Sequence, residues 1–512
     1  MVKEEIIDNE TNYRPFIRQC FLTAAVALNI VGHGCVIGYS AVLIPSLRHP
    51  ESHIKATHSE ESWIASILGF ALITGNFIIT PLMDTIGRKR SHLLTILPNL
   101  VGWFVLIMVD SVAGLIAARF LQGISMGMLG PLGSIIIGEM TDPRNRGAFL
   151  TSVSLSLTIG VMLSHALGTY FSWQQTALIC SFITFTSLIL IIFNPESPSW
   201  LIAKGRYEKG EEIFYWLRGR NDAQENELES MISAHRMMRK SSFTDKSLPM
   251  GVRVRRFCSY LRKTSVKPEF YKPIIIMFAL YTMFQFAGIN VISSYAMDII
   301  HQVVGPEANA KFLMVALDVE RLVCNIVAVF LMKSMRRRTL LFSSSAICVL
   351  SYLCKAFYVY AKQNGLVASE SHWIPITLIA VYMFSLTVGI SSIPFAISGE
   401  IFALEYRGLG GGISVWALSL NFFVAVKCFP VLNVAIGLSL TYILYAGVVV
   451  LCLIILYFLL PETKDRTLQE IEDSFRGISG THQRADQRVT EPLNDAGTII
   501  HGMRRHSSHI LY

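Results

Sequence analysis

Long apolar stretches separated by short polar segments run through most of this 512-residue chain. An α-helix needs about 20 consecutive apolar residues to cross the hydrocarbon core of a bilayer. Stretches suited to this lie near residues 20–44, 63–83, 93–109, 112–138, 147–170, 174–193, 273–299, 312–333, 339–361, 373–399, 408–430 and 437–460. Because lipid offers backbone groups no hydrogen-bond partner, each is predicted to be helical. The pattern predicts an all-α membrane protein with twelve transmembrane helices.

Short charged sequences recur in the two halves of the chain, each time at the end of an apolar stretch. The repeated segments are Glu139 with Arg146 and Glu400 with Arg407, together with Pro195–Ser197 and Pro461–Thr463. In both Glu–Arg copies six residues separate the two charges, and each Arg is followed by Gly. The repetition predicts two pseudo-symmetric six-helix bundles, which is the usual construction of a secondary transporter.

The charge distribution predicts the orientation and the division into domains. Lys and Arg collect in the loops on one side, and a central segment carries 16 of the 44. The positive-inside rule then puts both tails and this segment in the cytoplasm, and we expect the plasma membrane. The predicted domains are an N-terminal tail 1–19, a first bundle 20–199, a linker with short helices 200–272, a second bundle 273–460 and a C-terminal tail 461–512.

Composition agrees with this interpretation and excludes others. Hydrophobic residues make up 52% of the chain and charged residues 16%, which is too apolar for a soluble protein of this length. The net charge of +8 is explained by topology, so no nucleic-acid partner is expected. The nine Cys are scattered without a Cys-x-x-Cys motif. With no phosphate-binding loop, nucleophile elbow or metal-ligand cluster, we expect neither an enzyme nor a cofactor.

The loop between spans two and three has the composition of a gate. Asp84, Gly87 and Arg88 combine a carboxylate at a helix end, a residue that allows a tight turn, and a cation. Ion pairs there are able to form and break. The corresponding segment of the second half, 333–338, is basic but lacks the acid and the glycine. For that copy we favour simple anchoring by positive charge.

Further gate candidates come from the duplicated Glu–Arg signature. Glu139 and Arg146, like Glu400 and Arg407, bracket the predicted cytoplasmic ends of consecutive helices. Arg119 adds a cation early in span four. Ion pairs between helices of opposite halves are predicted to lock the cytoplasmic side and to open as the halves rock.

Taken together, these motifs resemble the sugar porter family of the major facilitator superfamily, in particular its insect facilitative trehalose-transporter branch. The resemblance covers residues 20–475 and rests on Asp84, Gly87 and Arg88; Arg119–Gly123; Glu139 with Arg146 and Gly147; Pro195–Pro198; Gln285 with Gly288–Asn290; Glu400 with Arg407 and Gly408; and Pro461–Lys464. It implies a twelve-helix fold, a small-molecule substrate, lipid as the surrounding partner, and function as a monomer.

The resemblance also implies which residues bind substrate. Family members present amides of span seven to sugar hydroxyls, and Gln285 and Asn290 hold two of those places. Amides suit a neutral polyol because they offer donors and acceptors without a charge to desolvate. Tyr295 matches an aromatic that closes the exterior side, Ser154 replaces the Gln of span five, and Phe395 stands where the family has Trp. Gln285 as a helix-packing residue is the alternative.

Other positions depart from the family. Phe284 replaces the first amide of span seven, and the expected Asn-Trp pair is missing at Leu418–Ser419. In span eight Arg321 stands where the family has Asn, with Asp318 three residues before it. A charge at bilayer depth costs about 2.5–3.5 kcal/mol on insertion scales. Mutual neutralisation on one helix face and a substrate-facing Arg321 remain equal alternatives.

Span one bears on energy coupling. Symporters of the family carry an acid there, whereas Tyr39 is followed by Ser40, and no Asp or Glu lies between Cys20 and Ser46. His33 is able to titrate, but we favour a helix-packing role for it. The sequence predicts a uniporter that moves a neutral sugar, a hexose or trehalose, by alternating access. The alternatives are a transporter of another small solute, for example an anion that uses Arg321, and a non-transporting sugar sensor.

Overall fold

The computed structural model describes residues 2–240, 250–366, 372–402, 406–464, 466 and 468–476, and these residues form helices and connecting turns without a strand. The helices of the first half are α1 Val2–Arg48, α2 His58–Ile86, α3 Arg88–Met108, α4 Val112–Met140, α5 Pro143–Tyr170 and α6 Trp173–Phe193. The connecting segment forms α7 Pro198–Ala203, α8 Tyr207–Arg218, α9 Asp222–Lys240 and α10 Met250–Thr264. The second half forms α11 Pro268–Phe286, α12 Ile289–Val303, α13 Ala310–Ser334, α14 Arg337–Gln363, α15 Trp373–Ser385, α16 Ile393–Glu400, α17 Arg407–Leu459 and α18 Leu468–Arg476.

The all-α fold predicted from the apolar pattern is confirmed. Within the described ranges, ten helical segments are long and apolar enough to cross a bilayer. One of these, α17, has 53 residues and would be about 80 Å long if straight, far more than one crossing needs. Gly437, with φ 82° and ψ 163°, divides it into two spans. The charged α13 supplies one more span, which gives the twelve that the pattern predicts.

Span seven is broken into α11 and α12 at the pair Ala287–Gly288, where Gly288 adopts φ 93°. The break frees backbone carbonyls that water does not reach, and each needs a donor. Tyr352 and Tyr382 supply donors, because their hydroxyls lie 2.8 and 2.5 Å from the carbonyl oxygen of Ala287. Two tyrosines of neighbouring spans therefore stabilise the break in span seven.

Span ten is interrupted as well. Between α15 and α16 the chain forms a π-helical turn, Leu386–Ser391, and Pro394 lies in the first turn of the helix that resumes. Gly389 in this turn lies against Ser344 of α14 with no room for a side chain. A π-helical turn re-aims the side chains that follow it, and such turns are frequent at functional sites.

The two halves meet along three pairs of helices. α2 packs on α17, α5 packs on α13, and α1 packs on α12. Within the first half the closest partners are α1 with α5 and α2 with α4. The helix ends near Arg88 and Arg337 form one side of the bundle, here called the basic face, and the ends near Arg48 and Asp298 form the opposite face.

The break in span seven makes Gly288 hard to replace. In Gly288→Ala the new Cβ would lie 2.5 Å from both Tyr352 Oη and Tyr382 Oη, in addition to the strain of a positive φ. Gly365→Ala is a matched control, because φ is 70° there but nothing lies within 4 Å. We expect the control to lose only the backbone term of about 1–2 kcal/mol and Gly288→Ala to lose at least twice as much. Denaturant unfolding in detergent measures both, and equal losses would contradict this account.

Candidate functional site

The basic face of the first bundle is organised around one ion pair. Arg88 donates from Nη2 and Nε to the two carboxylate oxygens of Glu139, at 2.8 and 3.0 Å. Ser197 donates to the same carboxylate at 2.5 Å, and Asp84 lies 3.6 Å from the guanidinium. The carboxylate of Glu196 accepts from the backbone N–H of Arg88 at 2.7 Å and thereby caps the start of α3. The short Pro-Glu-Ser sequence is thus the cap of a helix far from it in the chain.

The second bundle repeats this arrangement. Arg337 donates to both carboxylate oxygens of Glu400, at 2.8 and 3.3 Å. The carboxylate of Glu462 accepts from the backbone N–H groups of Arg337 and Arg338, both at 3.1 Å, and caps the start of α14. The basic segment 333–338 therefore does more than anchor the chain by positive charge, and our interpretation of it was wrong. Its missing acid and glycine do not prevent the ion pair.

The proposed pairing across the two halves is not found among the described residues. Glu139 and Glu400 each pair within their own bundle. Arg146 donates to the carbonyl oxygen of Thr141 at 3.5 Å, and its Nε has no partner. The side chain of Arg407 lies outside the part of the chain that the structure describes. The repeated Glu–Arg spacing therefore identified the acid of each cluster, and in the first copy the partner of that acid is Arg88 and not Arg146.

Arg119 does not lie at the basic face, so its grouping with the gate is corrected. It is completely buried inside the first bundle. Its guanidinium donates to the carbonyl oxygen of Val36 at 2.7 Å, to Ser40 Oγ at 2.6 Å and to Gln122 Oε1 at 3.1 Å. These partners are neutral, and they satisfy a buried cation at the junction of α1, α2 and α4. Ser40, which the resemblance to sugar porters places where symporters carry an acid, is one of them.

The two predicted amides of span seven do come together. Asn290 donates from Nδ2 to Gln285 Oε1 at 2.8 Å, across the break between α11 and α12. Gln285 is buried and Asn290 is half-buried. An aromatic group lies on the same helix, α11: Phe395 of α16 is 5.6 Å from Phe284 and 6.0 Å from Tyr281 between ring centroids. Half of the Phe395 surface is exposed.

Tyr295 makes its contacts within the second bundle, whereas Ser154 contacts the other bundle. Tyr295 donates to the carbonyl oxygen of Val426 at 3.3 Å and stacks on Phe429. Ser154 of α5 donates to Asn325 Oδ1 of α13 at 3.4 Å. Asn325 in turn donates to Thr158 of α5 at 3.0 Å. Ser154 therefore belongs to a polar contact between the bundles.

Arg321 is buried and lies beside a group that the sequence did not single out. It donates from Nη1 to Ser293 Oγ at 3.0 Å, and its Nε has no partner. Asp318 does not form an ion pair with Arg321; it is 2.6 Å from Nδ1 of His165 in the first bundle. Mutual neutralisation of Asp318 and Arg321 is thus replaced by a bridge between bundles. His165 carries no pattern in the sequence that would mark it.

A second group outside the predicted set surrounds Lys355 of α14. The ammonium is buried and lies over three tyrosine rings, 3.3 Å from the centroid of Tyr382, 4.5 Å from Tyr352 and 4.7 Å from Tyr442. Cation–π contacts of this kind stabilise a desolvated ammonium without a carboxylate. Tyr352 and Tyr382 also donate to the Ala287 carbonyl at the break of span seven. The three tyrosine rings around Lys355 therefore also stabilise that break.

The opposite face is where charged groups join the bundles. Arg48 donates to both oxygens of Glu61 in its own bundle and, at 2.7 Å, to Asp298 of the other bundle. The carbonyl oxygen of Lys427 accepts from Ser62 at 3.2 Å. At the basic face, by contrast, the ion pairs among the described residues join elements of one bundle. The structure is therefore held closed at the opposite face.

Comparison with known proteins agrees with the fold and the motifs. The family described as sugar (and other) transporters matches residues 20–475. The chain therefore belongs to this family, the sugar porters of the major facilitator superfamily. The facilitated trehalose transporter Tret1 of Bombyx mori is 25% identical over 476 residues, which are 91% of this chain and 90% of that protein. Tret1 of Aedes aegypti is 24% identical over 475 residues, but the chain spans only 57% of that relative.

Solved structures show the same fold. The proton:xylose symporter XylE bound to 6-bromo-6-deoxy-D-glucose superimposes with a TM-score of 0.68 at 18% identity, over 90% of this chain and 99% of that chain. The inward open conformation of the xylose transporter XylE from E. coli gives the same TM-score, identity and coverage. At this identity the likeness concerns the fold, and the substrate has to be argued from the chain itself.

The Arg88–Glu139 pair is testable by a double-mutant cycle. Both side chains are mostly buried, at 14% and 20% exposure, so each single change to Ala leaves an unpaired charge. We expect a coupling energy of about 1–3 kcal/mol in the free energy of unfolding. Arg337 with Glu400 should give a similar value. Arg90→Ala combined with Glu139→Ala is the control, since Arg90 is exposed, and it should couple by less than about 0.5 kcal/mol.

Proposed function

We propose that this protein is a facilitative carrier of a neutral sugar, trehalose or a hexose, that works by alternating access. The observation that carries this proposal is the pair of uncharged amides, Gln285 and Asn290, at the broken helix between the bundles. The names of the relatives support the choice of substrate class, because they are trehalose transporters. A neutral polyol needs donors and acceptors but no counter-charge, and the amides provide both.

The geometry of the pair suits reversible binding. In the absence of sugar the Asn290 Nδ2 donor and the Gln285 Oε1 acceptor satisfy each other, so neither of these two atoms is left without a hydrogen bond. A sugar hydroxyl both donates and accepts, and it is able to replace one amide in that exchange. The exposed ring of Phe395, backed by Phe284, offers an apolar surface for the C–H face of the ring. Tight binding is not required of a carrier that must release its substrate.

The surroundings of Arg119 support facilitated diffusion. A symporter needs a group that takes up and releases a proton during the cycle, and the place of that acid is held by Ser40. Arg119 is satisfied by neutral oxygens and does not depend on a titrating partner. His33 is bonded to Ser125 at 2.9 Å within the first bundle, which agrees with a helix-packing role. The driving force is then the sugar gradient alone.

The orientation follows from charge. We place the basic face in the cytoplasm and the opposite face outside the cell, with the plasma membrane as the location and the monomer as the working unit. In this orientation the structure is closed to the exterior. Asp84, Gly87, Arg88 and the two Glu–Arg clusters act in gating by holding the helix ends of each bundle together, so that each bundle stays rigid at its cytoplasmic end while the bundles rock.

An anionic substrate is the alternative that one observation favours. Arg321 is a buried cation whose Nε has no partner, and it lies near the interface of the bundles. Its Nη1, however, is already bound to Ser293, whose carbonyl oxygen contacts His165 of the other bundle. We therefore assign Arg321 to the contact between the bundles and not to the substrate.

Uptake into proteoliposomes tests the substrate class. Purified protein should transport labelled trehalose or a hexose and not organic anions of similar size. Gln285→Ala should raise the KM at least tenfold, because the loss of a buried hydrogen bond is worth about 1.5 kcal/mol. Gln302→Ala removes an amide from an exposed pair with Asn433 and should leave uptake within twofold. Preference for anions, or equal effects of the two variants, would argue against the proposal.

The mode of transport has its own test. In proteoliposomes with an imposed proton gradient, internal sugar should rise to the external concentration and no further. His33→Ala should leave this end point unchanged, because the ring contacts Ser125 inside one bundle. Accumulation above the external concentration that disappears in His33→Ala would show proton symport instead.

A further inference from the structure

One histidine of the first bundle touches two helices of the second. His165 lies near the end of α5 at the opposite face and is 1% exposed. Its Nδ1 is 2.6 Å from Asp318 Oδ2 on α13, and its Nε2 is 3.1 Å from the carbonyl oxygen of Ser293 on α12. Both ring nitrogens therefore make contacts between the bundles, and the ring is buried away from water.

These contacts fix the number of protons at the site. A carbonyl oxygen only accepts a hydrogen bond, and so does an ionised carboxylate. A neutral imidazole carries one N–H, so with an ionised Asp318 one of its nitrogens would face an acceptor with its lone pair. Both contacts are hydrogen bonds only if the pair holds one more proton, as an imidazolium with a carboxylate or as an imidazole with a carboxylic acid. A repulsive contact of 2.6 Å in a buried site would be costly.

The groups around His165 indicate that the extra proton is shared between His165 and Asp318. Among the described residues, the charged groups at this site are Asp318, which contacts the ring, and Arg321, which bonds Ser293 beside it; both are on α13. From α12 the site receives the carbonyl and the hydroxyl of Ser293, and from α1 the backbone at Gly38 lies against the ring. Arg321 holds the Ser293 hydroxyl at 3.0 Å and does not lose its charge in the physiological range.

We infer that His165 and Asp318 form a proton-binding site that holds the bundles together and is occupied only while the opposite face is closed. The inference rests on the alternating access proposed above, since opening that face parts α5 from α12 and α13. The two acceptors then separate and water reaches the ring, so the extra proton is released. Because the site lies toward the opposite face, the proton returns to that side and is not carried across with the substrate.

Linkage fixes the sign of the effect. The closed state binds one proton more than the open state, so lowering the pH favours closure and raising it favours opening. For a single proton, the ratio of closed to open molecules changes by up to about tenfold per pH unit. The protein is then a facilitative carrier whose resting state responds to pH on one side of the membrane. The free energy for transport still comes from the sugar gradient.

Distances between spin labels test this without any transport measurement. His53 and Glu307 are exposed positions near the opposite face, one in each half. Each is replaced by p-acetylphenylalanine and labelled, and the full chain in nanodiscs is studied by double electron–electron resonance without substrate. The long-distance, open population should grow as the pH rises. A distribution that does not change with pH would overturn the inference.

Variants decide which group is responsible. His165→Gln and Asp318→Asn each remove the titrating pair and should give distance distributions that are independent of pH, with size-exclusion profiles as the check on folding. His33→Gln alters a buried histidine within one bundle, and His58→Gln alters an exposed one at the opposite face, so both should retain the pH response. A response that survives in His165→Gln and in Asp318→Asn would overturn the inference. A pH response in protein that moves no sugar would instead disprove the proposed substrate and keep the proton site.

Discussion

Every polar group inside these apolar helices must find a partner in the protein, because lipid supplies none, and this constraint shapes the molecule. Arg119 is bonded to a backbone carbonyl, a hydroxyl and an amide drawn from α1 and α4. The carbonyl freed at the break of span seven receives the hydroxyls of Tyr352 and Tyr382. Buried polar groups thereby specify which helices are neighbours, a task that apolar packing against lipid performs poorly.

The same constraint explains why both halves contain a cluster of an Arg–Glu ion pair and a Glu that caps a helix. A helix that begins at a membrane surface leaves several backbone N–H groups unpaired. Glu196 and Glu462 accept from those groups at the starts of α3 and α14, and the adjoining Arg88 and Arg337 pair with Glu139 and Glu400. Each cluster ties three distant segments of one bundle into a rigid end. Rocking of two rigid bundles is the motion that such ends permit.

The sequence predicted the number of spans and the duplication because hydrophobic length and repeated charge are local properties. It also located the acids of both clusters and the amide pair of span seven. The sequence did not predict which side chains pair with each other. Arg146 lies close to Glu139 in the chain, yet Arg88 from another helix makes the contact. His165 was missed for the same reason, since a lone histidine becomes informative only when folding places Asp318 beside it. The two breaks in spans seven and ten likewise depend on neighbouring helices.

A proton site at the interface is compatible with facilitated diffusion, because binding and transport of a proton are separate matters. A proton is transported only if its site opens to both sides during the cycle, whereas a site that opens to one side changes populations alone. His165 lies toward the opposite face, and the contacts that close that face also enclose it. Ser40, expected from the resemblance at the place of the symporter acid, bonds Arg119 inside the first bundle and is not part of the His165 contacts. In the proposed mechanism the chain separates two tasks, recognition by neutral amides and closure by the proton-binding pair, and a carrier built this way needs no ion gradient to work.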